Sequence, residues 1–180
     1  MQGLYKDKYR IKSTRLKDFD YSSNGAYFVT MCTKNREFYF GHAINGKIKL
    51  SDMGKIVEKC WYEIPQHFEN VILDEFVVMP NHVHGIIIID NNRNRIHDCR
   101  DGVTPSLQRP TLGQIIGYFK YRATKLVNQF QNTPGVPIWQ PRFYEHVIRN
   151  DHELNRIREY IINNPLKWQL DKNNPKNYKI

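Results

Sequence analysis

The stretch MPNHVHGIIII, at residues 79–89, joins a turn to a run of four isoleucines. Side chains two residues apart on a β-strand point to the same face of the sheet. His82 and His84 are therefore expected to present two imidazoles side by side on a rigid strand. Paired imidazoles are good ligands for a divalent metal, and a third ligand would complete a half-open site able to hold a phosphate. The alternative is that the two histidines simply occupy one face of a sheet.

Upstream of the histidines, the pattern predicts two strands that flank a hairpin and a helix. The first strand is expected at residues 26–33, and the hairpin consists of residues 38–40 and 47–50 around an Asn45-Gly46 turn. The helix is capped by Ser51 and ended by Pro65. The second strand, at residues 71–78, leads through Met79-Pro80-Asn81 into the strand 82–90. Asn-Gly is a strong hairpin signal, and proline stops a helix because it lacks an N–H group.

Downstream, residues 91–110 are polar and without periodicity, which indicates a long loop. Thr111 and Gln114 form a capping box that opens an amphipathic helix. A strand at residues 143–149 follows, and Asn150 opens a last helix that closes before Pro165.

The predicted order is β-α-β-β-α-β with one added helix, which indicates an α+β, ferredoxin-like fold. In that fold two helices cover one face of an antiparallel sheet, and the added C-terminal helix, which carries the candidate tyrosine, lies elsewhere. The chain divides into a basic arm at residues 1–24, a single catalytic domain at residues 25–168 and a tail at residues 169–180. The histidine strand is expected to be central, with its imidazoles facing away from the two covering helices.

Length, charge and cysteine content narrow the class of protein. A chain of 180 residues suits one domain with its own core, and its formal charge of +9 favours a polyanionic partner such as nucleic acid. Its 3 cysteines lack CxxC spacing, which argues against a disulfide framework or a cysteine zinc site. With neither a signal peptide nor an apolar membrane span, we expect a cytoplasmic protein with no membrane partner.

The last predicted helix carries a second pair of polar side chains. Tyr160 and Asn164 are four residues apart, so phenol and carboxamide project from the same side. The Asn164 oxygen is a reasonable third ligand for Mg²⁺ or Mn²⁺, and the phenol is then placed to attack a metal-polarised phosphodiester. Other tyrosines compete for this role, namely Tyr118, Tyr121 and Tyr144.

Cations and aromatic residues on several elements are candidates for contact with nucleic acid. Basic side chains that can follow a phosphate backbone are Lys120, Arg122 and Lys125 on the long helix, with Arg142 and Arg149 near the last strand. Trp139 is a candidate for stacking on an unpaired base, although burial in the core explains it equally well.

Three ordered motifs carry a resemblance that runs from about residue 21 to residue 168. They are the histidine pair after Val77-Val78-Met79-Pro80-Asn81, the segment WQPRFYEHVIRN at 139–150 and the segment EYIINNPLK at 159–167. Together they resemble the single-tyrosine HUH transposases, and most of all the REP-associated tyrosine transposases.

The resemblance implies a ferredoxin-like enzyme that nicks and rejoins single-stranded DNA. His82, His84 and Asn164 then bind a divalent metal, either Mg²⁺ or Mn²⁺, and Tyr160 attacks the DNA phosphate. A 5′-phosphotyrosine link and a free 3′-hydroxyl result. Insertion-sequence members of the superfamily usually have glutamine at the position of Asn164. The implied substrate is hairpin DNA with a single-stranded flank, and the resemblance leaves both a monomer and a homodimer open.

Two other classes of function remain alternatives. A binding module of RRM-like fold would hold nucleic acid without cutting it, and would be expected to expose aromatic residues on its central strands. A metal-dependent hydrolytic nuclease would use water as the nucleophile, and Tyr160 would be incidental. Covalent capture of DNA separates the transposase from both alternatives.

Overall fold

The computed structural model of the chain describes residues 15–93 and 109–177. The strands are β1 (Gly25–Cys32), β2 (Gly41–Ile44), β3 (Lys47–Leu50), β4 (Val71–Met79), β5 (His82–Ile89) and β6 (Tyr144–Ile148). The helices are α1 (Asp52–Tyr62), α2 (Ile64–His67), α3 (Leu112–Gln131) and α4 (Asp151–Asn163). Four strands form one antiparallel sheet in the order β4-β5-β1-β6, while β2 and β3 form a separate hairpin. The predicted antiparallel sheet with helices is confirmed.

The two faces of the sheet pack against different helices because side chains alternate along each strand. On β5, Val83 and Ile87 belong to the main core, which also contains residues of α1 and α3. Ile86 points the other way and packs with Ile157 and Ile161 of α4 in a second, smaller core. The sheet therefore separates α1 and α3 from α4.

Each of the three long helices begins at a capping residue that the sequence indicates. The Ser51 side chain accepts a hydrogen bond from the backbone N–H of Gly54 at the start of α1. Thr111 and Gln114 form the expected capping box on α3, and the Asn150 side chain accepts from the N–H of Glu153 on α4. These caps satisfy N–H groups that have no partner within the helix.

Two predicted boundaries are wrong. Residues 38–40 are not a hairpin strand, because the Phe40 N–H bonds to the carbonyl of Pro80 and the Phe40 side chain is drawn into the core; the first strand of the hairpin is Gly41–Ile44. Pro65 does not end the first helix but lies in the first turn of α2, where a missing N–H group costs nothing. Most of the predicted 91–110 loop, residues 94–108, lies outside the described residues, as do residues 1–14 of the predicted arm.

Gly85 allows an aromatic stack to approach the central strand. The rings of Trp61 and Phe76 stack with centroids 4.4 Å apart. A Cβ atom on Gly85 would meet Trp61 at 2.4 Å, so only glycine leaves room for the indole. The stack thus fixes α1 and β4 against the strand that carries both histidines. Over residues 15–93 and 109–177, no helix has both the length and the hydropathy needed to cross a membrane.

Candidate active site

The two histidines lie together on the face of the sheet that packs against α4. His82 and His84 are fully buried on β5, which has β4 on one side and β1 on the other. Their Nε2 atoms are 3.0 Å apart. The strand geometry predicted from the sequence therefore brings both imidazoles to a single point.

Hydrogen bonds from neighbouring residues orient both imidazole rings. The Nδ1 atom of His84 is 2.8 Å from Oγ1 of Thr30, and the Nδ1 atom of His82 is 2.8 Å from Oδ1 of Asn81. The Asn81 Nδ2 atom donates to the carbonyl of Asn173, so its Oδ1 is an acceptor and Nδ1 of His82 carries the proton. The Nε2 lone pair of His82 is then available to a metal, which is the arrangement that orienting partners produce around metal-binding histidines.

Burial keeps both histidines neutral at physiological pH. It lowers the pKa of His84 to about 3, and the charge of Lys172 acts in the same direction. Burial also lowers the pKa of His82 well below its usual range, and the neighbouring His84 lowers it further. Neutral imidazoles are the form that binds metals, so the environment favours ligation.

Tyr160 projects from α4 toward the histidines. Its hydroxyl is 3.3 Å from Nε2 of His84, its side chain is 39% exposed, and its ring packs edge-on against Phe28. Burial raises the pKa of Tyr160 to about 12, with a further increase from the Asp171 carboxylate and a decrease from a hydrogen bond with Asn164. The phenol is therefore protonated at neutral pH and needs a nearby cation to become a good nucleophile.

A salt bridge ties the tyrosine helix to the edge of the sheet. Arg158 on α4 donates two hydrogen bonds to the carboxylate of Asp74 on β4, with distances of 2.8 and 2.5 Å. This bidentate pair lies beside the register shift in β4 between Leu73 and Phe76. Bidentate pairs fix direction as well as distance, and the pair therefore helps to hold α4 over the histidines.

Asp171 supplies a carboxylate beside the imidazoles, and Asn164 lines the same cavity as Asp171. Oδ2 of the buried Asp171 is 4.0 Å from Nε2 of His82, and the ligand atoms of His82, His84 and Asp171 all lie within 4.8 Å of one another. Asn164 is buried at the end of α4, and its Oδ1 has no hydrogen-bond partner among the described residues. Two neutral imidazoles, a carboxylate and an orphaned carboxamide oxygen fit Mg²⁺ or Mn²⁺.

Sequence reasoning missed Asp171. It lies beyond the last predicted helix, in the segment regarded as a tail, and no motif or periodicity marks it. The packing of Trp168 against His82, with ring centroids 6.0 Å apart, brings this segment to the site. Only the tertiary contact identifies the carboxylate.

A cavity of about 350 Å³ opens beside these groups. We call it the site cavity; it is lined by Phe28, Thr30, Tyr144, Tyr160, Asn164, Lys167, Leu170, Asp171 and Lys172. Its cations, Lys167 and Lys172, come from the segment after α4, and Tyr160 comes from α4 itself. The arrangement gives a phosphate access to the Tyr160 phenol and to the side chains of Asn164 and Asp171, which line the cavity.

The structure does not bring the proposed nucleic-acid residues of α3 to this site. Arg122 pairs with Glu63 at 3.5 Å, and Lys125 borders a separate cavity. Lys120 is half-buried and donates to the carbonyl of Gln140, and burial lowers its pKa to about 8. Because α3 packs on the opposite face of the sheet, Arg122 and Lys125 are remote from the histidines.

The remaining candidates come from the segment around β6. Trp139 is only 6% exposed and packs against Phe40 and Phe119 in the main core. Arg142 is exposed and lines a second cavity next to the site, whereas Arg149 is exposed at the end of β6. Burial is therefore the role that the structure gives to Trp139.

Comparison with known proteins finds relatives that match most of the chain. No family model matches the chain. An uncharacterized protein of Haemophilus influenzae is 41% identical over 165 residues, which cover 89% of this chain and 91% of that protein. Another H. influenzae protein, provisionally named a REP-associated tyrosine transposase, is 27% identical over 154 residues, or 82% of this chain and 74% of that protein. A solved REP-associated tyrosine transposase bound to a REP hairpin has the same fold, with a TM-score of 0.58 at 20% identity, over 90% of this chain and 77% of that one.

Proposed function

Because this chain belongs to the HUH tyrosine transposases, in the REP-associated branch, we propose that it nicks and rejoins single-stranded DNA through Tyr160. The observation that carries the proposal is the position of the Tyr160 hydroxyl, 3.3 Å from Nε2 of His84 at the edge of an open cavity. Nucleophile and metal ligands are then within reach of one phosphate, as in-line attack requires.

The arrangement of elements supports a ferredoxin-like fold for this enzyme. Along the chain, β1, β4, β5 and β6 are the first, second, third and fourth strands of the sheet. Their order across the sheet is therefore second, third, first, fourth, which is the order of the ferredoxin-like fold, and α1 and α3 share one face. The tyrosine helix then occupies the second face. We assign the catalytic domain to residues 25–168 and add the segment to residue 177, because Asp171 packs into the site.

The reaction exchanges one phosphodiester for another. The Tyr160 oxygen attacks phosphorus, the phenol loses its proton to solvent, the bond from phosphorus to O3′ breaks, and O3′ takes up a proton. The products are a 5′-phosphotyrosine and a free 3′-hydroxyl. Since the phosphodiester bond is conserved, rejoining needs no nucleotide cofactor.

His82, His84, Asn164 and Asp171 would hold Mg²⁺ or Mn²⁺, in which case Asp171 extends the set of ligands expected from the sequence. When bound, the metal supplies charge that polarises the phosphate and favours the phenolate. Thr30 and Asn81 act on the histidines, whose rings they hold in the metal-binding orientation.

We infer that the substrate is a DNA hairpin with a single-stranded flank. The proposal is supported by the formal charge of +9 and by the exposed cations at the site, Lys167 and Lys172.

The described part of one chain supplies the tyrosine, the histidines and the oxygen ligands. A monomer is therefore sufficient to assemble the site, and a homodimer is not required.

The test uses a labelled pool of hairpin DNAs with randomised single-stranded flanks, incubated with Mn²⁺ or Mg²⁺ and run on denaturing gels. A protein–DNA adduct should form only with metal, and Tyr160→Phe should lower its yield by at least about a thousand-fold because the nucleophile is gone. Tyr121→Phe, an exposed tyrosine on α3, is the matched control and should leave the yield unchanged.

Other outcomes separate the competing functions. Cleavage that persists in Tyr160→Phe without an adduct would support a hydrolytic nuclease. Tight binding with no cleavage of any hairpin would support a non-catalytic, RRM-like module. Either result would contradict the proposed transposase chemistry.

A further inference from the structure

We propose that a cavity next to the active site binds the nucleotide that departs with the 3′-hydroxyl, and that Tyr144 is the surface on which its base stacks. This inference rests on the proposed function, because it uses the direction of the tyrosine attack. It assigns a role to Tyr144 and Lys172.

Tyr144 forms the wall between three cavities. The first is the site cavity. The second, of about 300 Å³, we call the cationic cavity because Arg36, Arg142 and Lys172 line it. The third, of about 330 Å³, we call the rear cavity. Tyr144 borders all three cavities, whereas Tyr160 borders the site cavity and the rear cavity but not the cationic cavity.

The geometry of displacement decides which nucleotide goes to which cavity. In an in-line reaction the leaving oxygen lies on the side of phosphorus opposite the nucleophile. With the scissile phosphate in the site cavity, O3′ and its nucleotide point away from Tyr160. The cationic cavity extends in that direction, because it shares Thr30, Tyr144 and Lys172 with the site cavity but lacks Tyr160. The nucleotide that keeps the 5′-phosphate stays on the tyrosine side, where the rear cavity lies.

The charge of the cationic cavity suits a phosphate. Arg142 and Lys172 are exposed, and Arg36 donates a hydrogen bond to Oδ1 of Asn173 at 2.5 Å, which turns its guanidinium toward the same segment. None of the described residues that line this cavity is acidic. Arg142 and Lys172 therefore present positive charge to this cavity, which suits the phosphate of an incoming strand.

Tyr144 provides an aromatic face of the kind that unpaired bases use. Its side chain is 40% exposed, and its ring is held edge-on against Phe28 with centroids 6.2 Å apart. The Lys172 ammonium lies over the ring, 5.4 Å from its centroid. We infer that a base replaces the ammonium on the ring and that Lys172 turns to the phosphate of the same nucleotide.

The first experiment tests the cationic cavity with fluorescein-labelled dT12. Binding is measured by anisotropy at several salt concentrations, on a Tyr160→Phe background that cannot cleave. Lys172→Met should weaken binding and reduce the slope of log K against log salt by about 0.7, the effect of one lost phosphate contact on a single strand. Lys176→Met, four residues further along the same segment and outside the three cavities, should change neither. An unchanged slope in Lys172→Met would overturn the proposal.

The second experiment tests which side of the phosphate Tyr144 serves. In the hairpin selected by adduct formation, an abasic residue replaces the base on either side of the scissile phosphate. Removing the base on the 3′-hydroxyl side should weaken binding by about 5- to 150-fold, the range for one stacked base. The Tyr144→Leu variant should bind intact DNA as weakly as the parent binds the abasic DNA, and the abasic residue should weaken its binding no further. The Tyr144→Phe variant should bind both DNAs with the affinities of the parent.

The outcomes distinguish this inference from the proposed function. If the parent protein forms no adduct, the tyrosine chemistry itself fails. If the adduct forms but Tyr144→Leu still responds to the abasic residue, or responds only on the 5′-phosphate side, the assignment of the cavity is wrong. Melting temperatures of the variants, compared with the parent, exclude a loss of fold as the cause.

Discussion

Asp171 and Asn164 reach the site cavity from two different parts of the chain. Asn164 caps the helix that carries Tyr160, and Asp171 lies in the irregular segment that follows. The carboxylate has opposite effects on the two functional groups. It places a negative charge beside His82, and the same charge raises the pKa of Tyr160. A divalent cation held by Asp171 would offset this effect, because it would pair with the carboxylate and favour the phenolate.

Replacing the carboxylate tests this account. Asp171→Asn should weaken Mn²⁺ binding by at least about tenfold, because a charged oxygen ligand is lost while the shape is retained. Isothermal titration calorimetry measures the change directly, without DNA. Asp151→Asn, an exposed acidic residue in the first turn of the tyrosine helix, is the matched control. Equal affinity in Asp171→Asn and the parent would remove Asp171 from the set of ligands.

Strand β5 carries the two histidines on one face and a close packing contact on the other. His82 and His84 point to α4, while Gly85 on the opposite face accepts the Trp61 indole. The stacked rings of Trp61 and Phe76 occupy the space that a side chain on residue 85 would need. The position of the histidines is therefore coupled to packing on the far side of the sheet.

A pair of glycine substitutions measures this coupling. Gly85→Ala should lower the free energy of unfolding by about 1–3 kcal/mol, because its Cβ would meet Trp61 at 2.4 Å and overpack the core. Gly117→Ala lies on α3 with no neighbour within 4 Å of the added Cβ, and should instead raise that free energy by about 0.5–1 kcal/mol. Urea unfolding measures both. A neutral Gly85→Ala would mean that the Trp61 stack shifts easily.

The stability of the whole molecule depends on pH through its two buried imidazoles. Both are neutral when folded, since burial lowers the pKa of His84 to about 3 and that of His82 well below 6.5. Both regain an ordinary pKa of about 6.5 on unfolding. Below that pH the unfolded chain binds more protons than the folded one, so stability is present above pH ~6.5 and is lost as the pH falls toward the folded values.

In the metal-free protein, we expect the free energy of unfolding to fall by up to about 1.4 kcal/mol per pH unit for each histidine between pH ~6 and ~4. His84→Asn should reduce the slope by about the contribution of one histidine, and His82→Asn should reduce it in the same direction. His152→Asn, at an exposed position of the tyrosine helix, is the matched control for a histidine-to-asparagine change. Chemical denaturation at each pH gives the slopes. Parallel profiles for all three variants would contradict the account.

Features that depend only on neighbours along the chain can be read from the sequence. The two-residue period of a strand places both imidazoles on one face, capping residues start the three long helices, and a spacing of four brings Tyr160 and Asn164 to the same side. Because backbone geometry fixes these relations, they can be predicted before the fold is known. The motifs that carry the family resemblance are local in the same sense.

Contacts between distant parts of the chain follow from the tertiary structure. It brings Asp171 to His82, buries Trp139 in the core, and pairs Arg122 with Glu63 on the face remote from the site. It also moves the start of the hairpin from residue 38 to Gly41, because Phe40 has a better place in the core than in a strand. Such contacts depend on how helices and sheet pack in three dimensions, which no local period encodes.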